Sequence, residues 1–167
     1  MRLKQNHLQY IARKITKDMV NCDFIEIRSP KEDIAEQIVQ IMTEDLKKES
    51  ALDEAVTKLL ENQEEEIEFF KADYRQLFWM TKKRLANEYN VILNNTDRFS
   101  DIAHQVLDYL WEEDFIHFVV NDNQVKNVIL ASIEEFMAGF DEADSAAYEK
   151  IKNYQRKLIP GTDDYNE

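Results

Sequence analysis

Apolar residues recur along most of this chain at steps of three and four, the spacing that lines one face of an α-helix. Leu8, Ile11, Ile15 and Met19 predict a first helix from about Lys4 to Asn21. Ile34, Ile38, Ile41, Met42 and Leu46 predict a second, and Leu52, Val56, Leu59 and Leu60 continue in phase. Between Gln63 and Asn90, Ile67, Phe70, Tyr74, Phe78, Leu85 and Tyr89 fall on one stripe. Phe69 and Met80, with Trp79 at the margin, point the other way. A helix apolar on two sides is buried on two sides, so residues 63–90 are expected to be a central helix with a packing layer on each flank. A single helix from Leu52 to Tyr89 would be roughly 57 Å long, more than a domain of this size is wide, so a break is expected between Glu61 and Glu66.

Polar punctuation supplies the boundaries. Ser29-Pro30-Lys31-Glu32 reads as a capping box with Pro at the first helical position. Ser50-Ala51-Leu52-Asp53 reads as another helix start, and Asn90–Thr96 as a linker with Thr96 or Ser100 capping a helix that ends near Glu112. Asn121, with Gln124 three residues on, opens a helix bearing Val125, Val128, Ile129, Ile133 and Phe136. Gly139 is a natural stop for it, and a last helix is expected from Asp141 through about Arg156. Pro160-Gly161 suits a type II turn before a polar tail. Phe24, Ile25 and Ile27 are good strand formers, enough for a short extended piece, and Phe115–Phe118 opens a second short extended run.

A shift of 91 lays residues 11–62 over 102–153 without a gap. Ile11-Ala12 falls on Ile102-Ala103 and Asp23-Phe24-Ile25 on Asp114-Phe115-Ile116; Ile38, Glu44, Asp53, Ala55 and Asn62 meet identical residues too. Two copies of a helix–strand–helix–helix unit could close on each other and pair their strands near a pseudo-twofold axis. The expected fold is therefore all-α: two pseudo-repeated helical units around a long central helix, with at most a minor two-stranded β element. It would form a single compact domain over 1–167, with pseudo-repeats at 4–62 and 97–157, the central helix at 63–90 and a tail at 158–167.

Composition agrees. Only 2 Gly and 2 Pro occur in 167 residues, too few for a turn-rich β fold. The single Cys22 excludes an intramolecular disulfide and fits a reducing cytoplasm. No apolar run reaches membrane-spanning length, and MRLKQNHLQYIARK is too polar for a signal-peptide core. That start is basic and amphipathic, as a membrane-surface helix would be, but its apolar positions make an ordinary core stripe. The formal charge of −13 repels nucleic acid unless a local basic patch prevails. Charge is concentrated in 31–70 and 101–149, which are acidic, whereas 1–30 and 71–100 are mildly basic. Either the basic segments neutralise acidic ones inside the fold, or an acidic face is left for a basic partner.

The chain carries no catalytic, cofactor-binding or metal-ligating signature. His104 and Asp108, four apart with Asp101 and Glu112 nearby, are too few for a metal centre and read as a solvated face. His117 reads as an outward strand residue. Asp73, Arg75 and Trp79 mark either pairing between layers or one side of a pocket. Lys82, Lys83 and Arg84, with Arg156 and Lys157 beside Tyr154, combine basic and aromatic residues as an RNA-binding patch would. Their alternative role is to neutralise acidic segments.

Four stretches, MRLKQNHLQYIARKI, IEFFKADYRQLFWMTKKRLANEY, WEEDFIHFVVNDNQVKN and NYQRKLIPGTDDY, resemble in the same order the bacterial domain of unknown function 507 family. The resemblance spans nearly the whole chain. It implies a small cytoplasmic bacterial protein and brings no activity, cofactor or catalytic residue. The family pattern continues past Gly-Thr-acid-acid-Tyr into another short helix, whereas this sequence ends at Glu167.

The expected function is a non-enzymatic cytoplasmic interaction or adaptor protein acting through an acidic helical surface, with a protein partner and homodimerisation open. The alternatives are an RNA- or ribosome-associated factor using 82–84 and 154–157, and a small-ligand pocket or enzyme between the repeats.

Overall fold

The computed structural model describes residues 2–63, 65, 68 and 73–158, with side chains described as far as residue 140. The fold is all-α, with a long central helix and a minor two-stranded element. The N-terminus enters through a 3-10 turn, Gln5–His7, into α1, Leu8–Val20. β1, Glu26–Ile27, leads to α2, Lys31–Glu61. Next come α3, Tyr74–Leu85, and a 3-10 turn, Ala86–Tyr89. The second half runs through α4, Asn95–Glu112, β2, Ile116–His117, and α5, Asp122–Leu158.

The two halves share an order of elements, α1–β1–α2 and α4–β2–α5. They also bury equivalent positions. Ile11, Ala12, Ile15, Met19, Ile34, Ile38 and Met42 have no exposed area, nor do Ile102, Ala103, Val106, Leu110, Val125, Ile129 and Ile133, the same positions shifted by 91. β1 and β2 pair antiparallel, Glu26 with His117 and Ile27 with Ile116. Glu26 thus pairs with the residue that the shift lays over it, as a twofold through the ladder requires. Asp114 turns the chain into β2 in a left-handed conformation, φ 59°, and its carboxylate accepts from Arg28 at 2.8 Å. α1 and α4 each pack against both α2 and α5, so they occupy opposite corners of a four-helix arrangement.

The long central helix is α2, not residues 63–90. α2 ends at Glu61, inside the window where a break was expected. The stretch 63–90 does not form one helix. Asp73 is extended, φ −75° and ψ 114°, and its carboxylate accepts the backbone N–H of Arg75 at 3.0 Å, so a helix starts at Tyr74. A side chain that satisfies an orphan N–H makes a start where periodicity alone predicts continuation. The stretch ends with Asn90 in the left-handed region, φ 56°. Its flanks are not both buried. Tyr74, Trp79 and Met80 are about half exposed, at 48%, 48% and 56%. Ile67, Phe69 and Phe70 lie outside the described residues.

Four predicted boundaries shift. Pro30 stands at the cap of α2 rather than at its first helical position, no side chain caps that end, and the helix begins at Lys31. α2 runs straight through Ser50, because Leu52, Val56 and Leu60 form a second apolar cluster with Ala86 and Val91 and hold its last turns helical. α5 runs through Gly139, where Met137 is buried and Phe136 and Phe140 pack on His7. Packing on both sides of the glycine outweighs its low helix propensity. The start of α4 is capped by Asn94, whose side chain accepts from Asp97 N–H at 3.0 Å, rather than by Thr96 or Ser100. Asn121 does cap α5, accepting from Asn123 N–H at 2.8 Å. Pro160-Gly161 and the tail lie outside the described residues.

Gly139→Ala should stabilise the protein by about 0.5–1 kcal/mol, because a Cβ there meets nothing within 4 Å. Thermal unfolding should show a midpoint higher by about 2–4 °C. Met80→Ala, at an exposed position, should cost less than about 1 kcal/mol. Leu52→Ala, in the second cluster, should cost about 2–5 kcal/mol in urea unfolding.

Candidate functional site

Helical spacing puts Asp45, Glu49 and Asp53 on one side of α2. That stripe faces α3, α4 and the N-terminal arm. Arg98, in the first turn of α4, donates from Nε to Asp45 Oδ2 at 2.7 Å and from Nη1 to Glu49 Oε1 at 3.0 Å. Lys82 of α3 sends Nζ to Glu49 Oε2 and to Asp53 Oδ1, each at 2.8 Å. The Lys82–Asp53 contact is an ion pair out of line for a hydrogen bond. Arg2 closes the network from outside, 3.1 Å from Asp53 and 3.3 Å from Glu49. Three carboxylates meet three cations, and Glu49, Lys82 and Arg98 are all buried.

Burial alone would push the Glu49 carboxyl up. The Lys82 hydrogen bond, with the charge and hydrogen bond of Arg98, outweighs it and holds the group down at about 2. Glu49 is therefore ionised and fully engaged near neutral pH, with no readiness to take up a proton. Arg98 is held above the usual guanidinium range, its desolvation outweighed by Asp45 and Glu49. The cluster's chemistry is structural: it fastens α3 and α4 to α2. Among the described residues no group of three or more His, Cys, Asp or Glu is placed to hold a metal ion.

The predicted site residues separate. Lys82 turns inward and is consumed by the cluster. Asp73 caps α3, and Arg75 is exposed beside it. Lys83 and Arg84 are exposed, and Lys83 Nζ lies 5.7 Å from the centre of the Trp79 ring, within cation–π range. The side chains of Arg156 and Lys157 are outside the described set. The expectation that basic segments neutralise acidic ones holds for Lys82 and Arg98. Sequence reasoning missed Asp45, Glu49 and Arg98; the available signal was a carboxylate, Glu49, inside the apolar stripe between Leu46 and Leu52.

The outer face of α4 differs in character. Asp97, His104, Asp108 and Glu112 are exposed along it, and Asp101 is half-buried. His104 Nε2 lies 3.1 Å from Asp108 Oδ2. The stripe ends at Trp111, 44% exposed, whose indole stacks on His117 at 5.4 Å and packs on Phe118 at 4.6 Å. Val119, the next residue along the chain, is 90% exposed. On the other side of the molecule a hollow of about 670 Å³ lies between α1 and α2, lined by Arg13, Thr16, Lys17, Val20, Lys31 and Val39 among others. Among the described residues no helix is long and apolar enough to cross a membrane.

These features define a helical protein of two similar halves, with a buried ionic clamp and charged, partly apolar outer faces. The family described as protein of unknown function DUF507 matches residues 1–167, and the chain belongs to that family. No curated protein matches the sequence.

Glu49→Gln should destabilise the protein by about 2–4 kcal/mol near neutral pH, because buried Lys82 and Arg98 lose their shared counter-charge. The Glu49 carboxyl titrates lower when folded than its ordinary 4.5. Its stabilisation is thus complete above that value and fades as pH falls toward about 2. Urea unfolding of both proteins across this range should show their difference shrinking with acid.

Proposed function

We propose that this chain is a non-enzymatic cytoplasmic interaction protein, and that the outer face of α4 is its acidic docking surface. The observation that carries this is the row of Asp97, Asp101, Asp108 and Glu112 ending in half-exposed Trp111. A basic segment of a partner protein would gain charge complementarity along the row and an aromatic anchor at its end. Aromatic anchors supply much of the energy at protein interfaces, whereas rim charges steer association. The recurrence of elements and buried positions supports reading the two halves as a repeat. The single Cys22 suits a reducing compartment.

An RNA partner has less support. With Lys82 consumed, the described cations beside Trp79 are Arg75, Lys83 and Arg84, a small patch on a chain of net charge −13. An enzyme or small-ligand role at Asp73, Arg75 and Trp79 has less still, because all three lie on the exposed side of α3.

Immobilised protein should capture a protein that presents a basic segment or face from a bacterial lysate, with capture weakening as salt rises. Asp108→Lys with Glu112→Lys should reduce it at least tenfold, and Trp111→Ala should weaken it at all salt concentrations. Failure of the wild type to capture any protein at low and moderate salt would refute the proposal.

A further inference from the structure

The outer faces of α1 and α4 occupy equivalent places in the two halves and carry opposite charge. The shift of 91 lays Arg13 over His104, Lys17 over Asp108 and Asn21 over Glu112. Arg13 and Lys17 are exposed, and the Arg13 guanidinium lies 5.8 Å from the Tyr10 ring centre. The apolar position bordering each face differs too: Val20 on α1 corresponds to Trp111 on α4. Where α1 carries the small residue, the hollow of about 670 Å³ opens against α2, with Thr16, Val20, Ala35 and Val39 in its lining. Where α4 carries the large residue, an indole is left 44% exposed. One corner of the molecule is thus a groove with apolar lining, cationic along its α1 side, where Arg13 and Lys17 stand. The opposite corner is an anionic ridge with an aromatic anchor.

We infer that the partner of the α4 face is a second copy of this chain, docked through its α1–α2 groove. This rests on the reading of α4 as an interaction face and names its partner. Trp111 of one copy enters the groove, while Asp108 and Glu112 lie over Arg13 and Lys17 of the other. Glu32 and Glu36 line the α2 side of the groove, so the ridge follows the α1 side, where Arg13 and Lys17 stand. The two faces are unlike, so the contact is heterologous. A docked pair keeps one groove free on one copy and one ridge free on the other, and assembly extends head to tail rather than closing as a twofold dimer. Opposite corners make that geometry accessible.

Light scattering after size exclusion, over a concentration series at low and high salt, tests this. At low salt the mean mass should rise with concentration above the 19.9 kDa of one chain, and at high salt it should return to that value. Arg13→Glu with Lys17→Glu should give a monomer, as should Asp108→Lys with Glu112→Lys. Mixing the two variants should restore association, because each then offers a face complementary to the other. These side chains are exposed, and circular dichroism should show unchanged helix content. A Trp79→Phe background leaves Trp111 as the sole tryptophan, and its emission should move to shorter wavelength as copies associate. A wild type that stays monomeric at low salt and high concentration overturns the inference. So does association that survives both charge reversals. If the monomeric wild type still captures a basic protein through Trp111, the interaction role stands and only the identity of the partner changes.

Discussion

Glu49 is a carboxylate nearly out of contact with water, and its burial is tolerable because Lys82, Arg98 and Arg2 converge on it from three separate parts of the chain. It sits on α2 between two apolar clusters. On one side Ile34, Ile38 and Met42 join the core made with α1, α4 and α5. On the other Leu52, Val56 and Leu60 join Ala86 and Val91. A buried ionic cluster adds little net stability over a well-packed apolar alternative, but it heavily penalises any arrangement that leaves one charge alone. The register of α3 and α4 on α2 is set in this way, and with it which residues of each face water.

That orientation decides the character of the outer surfaces. With Lys82 turned inward, α3 presents Arg75, Trp79, Lys83 and Arg84 outward. With Arg98 turned inward at the start of α4, the next outward positions are Asp101, His104, Asp108 and Glu112. The pairing of Glu26 with His117 relates the two halves about a point between the strands. Similar backbones then display dissimilar faces, cationic on α1 and anionic on α4. Buried positions change residue but stay apolar, as Ile15 and Val106 or Met19 and Leu110 do, whereas the change of charge falls on outward positions and creates the difference between the corners.

Much of the fold is legible in the residues. The stripes of α1, α2 and α4, the Asn121 cap and the end of α2 before Glu66 follow from periodicity and capping chemistry, which act within a few residues of sequence, and the pairing of the two short strands follows from the match at a shift of 91. The misplaced features have two causes. Gly139 and Ser50 are local stop and start signals overridden by side chains that pack against distant elements. Asp73 is the reverse case, a local cap that interrupts an otherwise continuous helical pattern. The candidate site was less legible, because Asp45, Glu49, Lys82 and Arg98 lie up to 53 residues apart and meet only when three helices assemble.

The sequence by itself determined the helical class, the family and the lopsided distribution of charge, since each resides in residue type and order. Tertiary structure decided which charges are spent inside and which remain outside. Whether Lys82 or Lys83 points at a carboxylate depends on the rotation of α3 against α2, and that rotation is fixed by long-range packing and ion pairing rather than by the neighbours of either lysine in the chain.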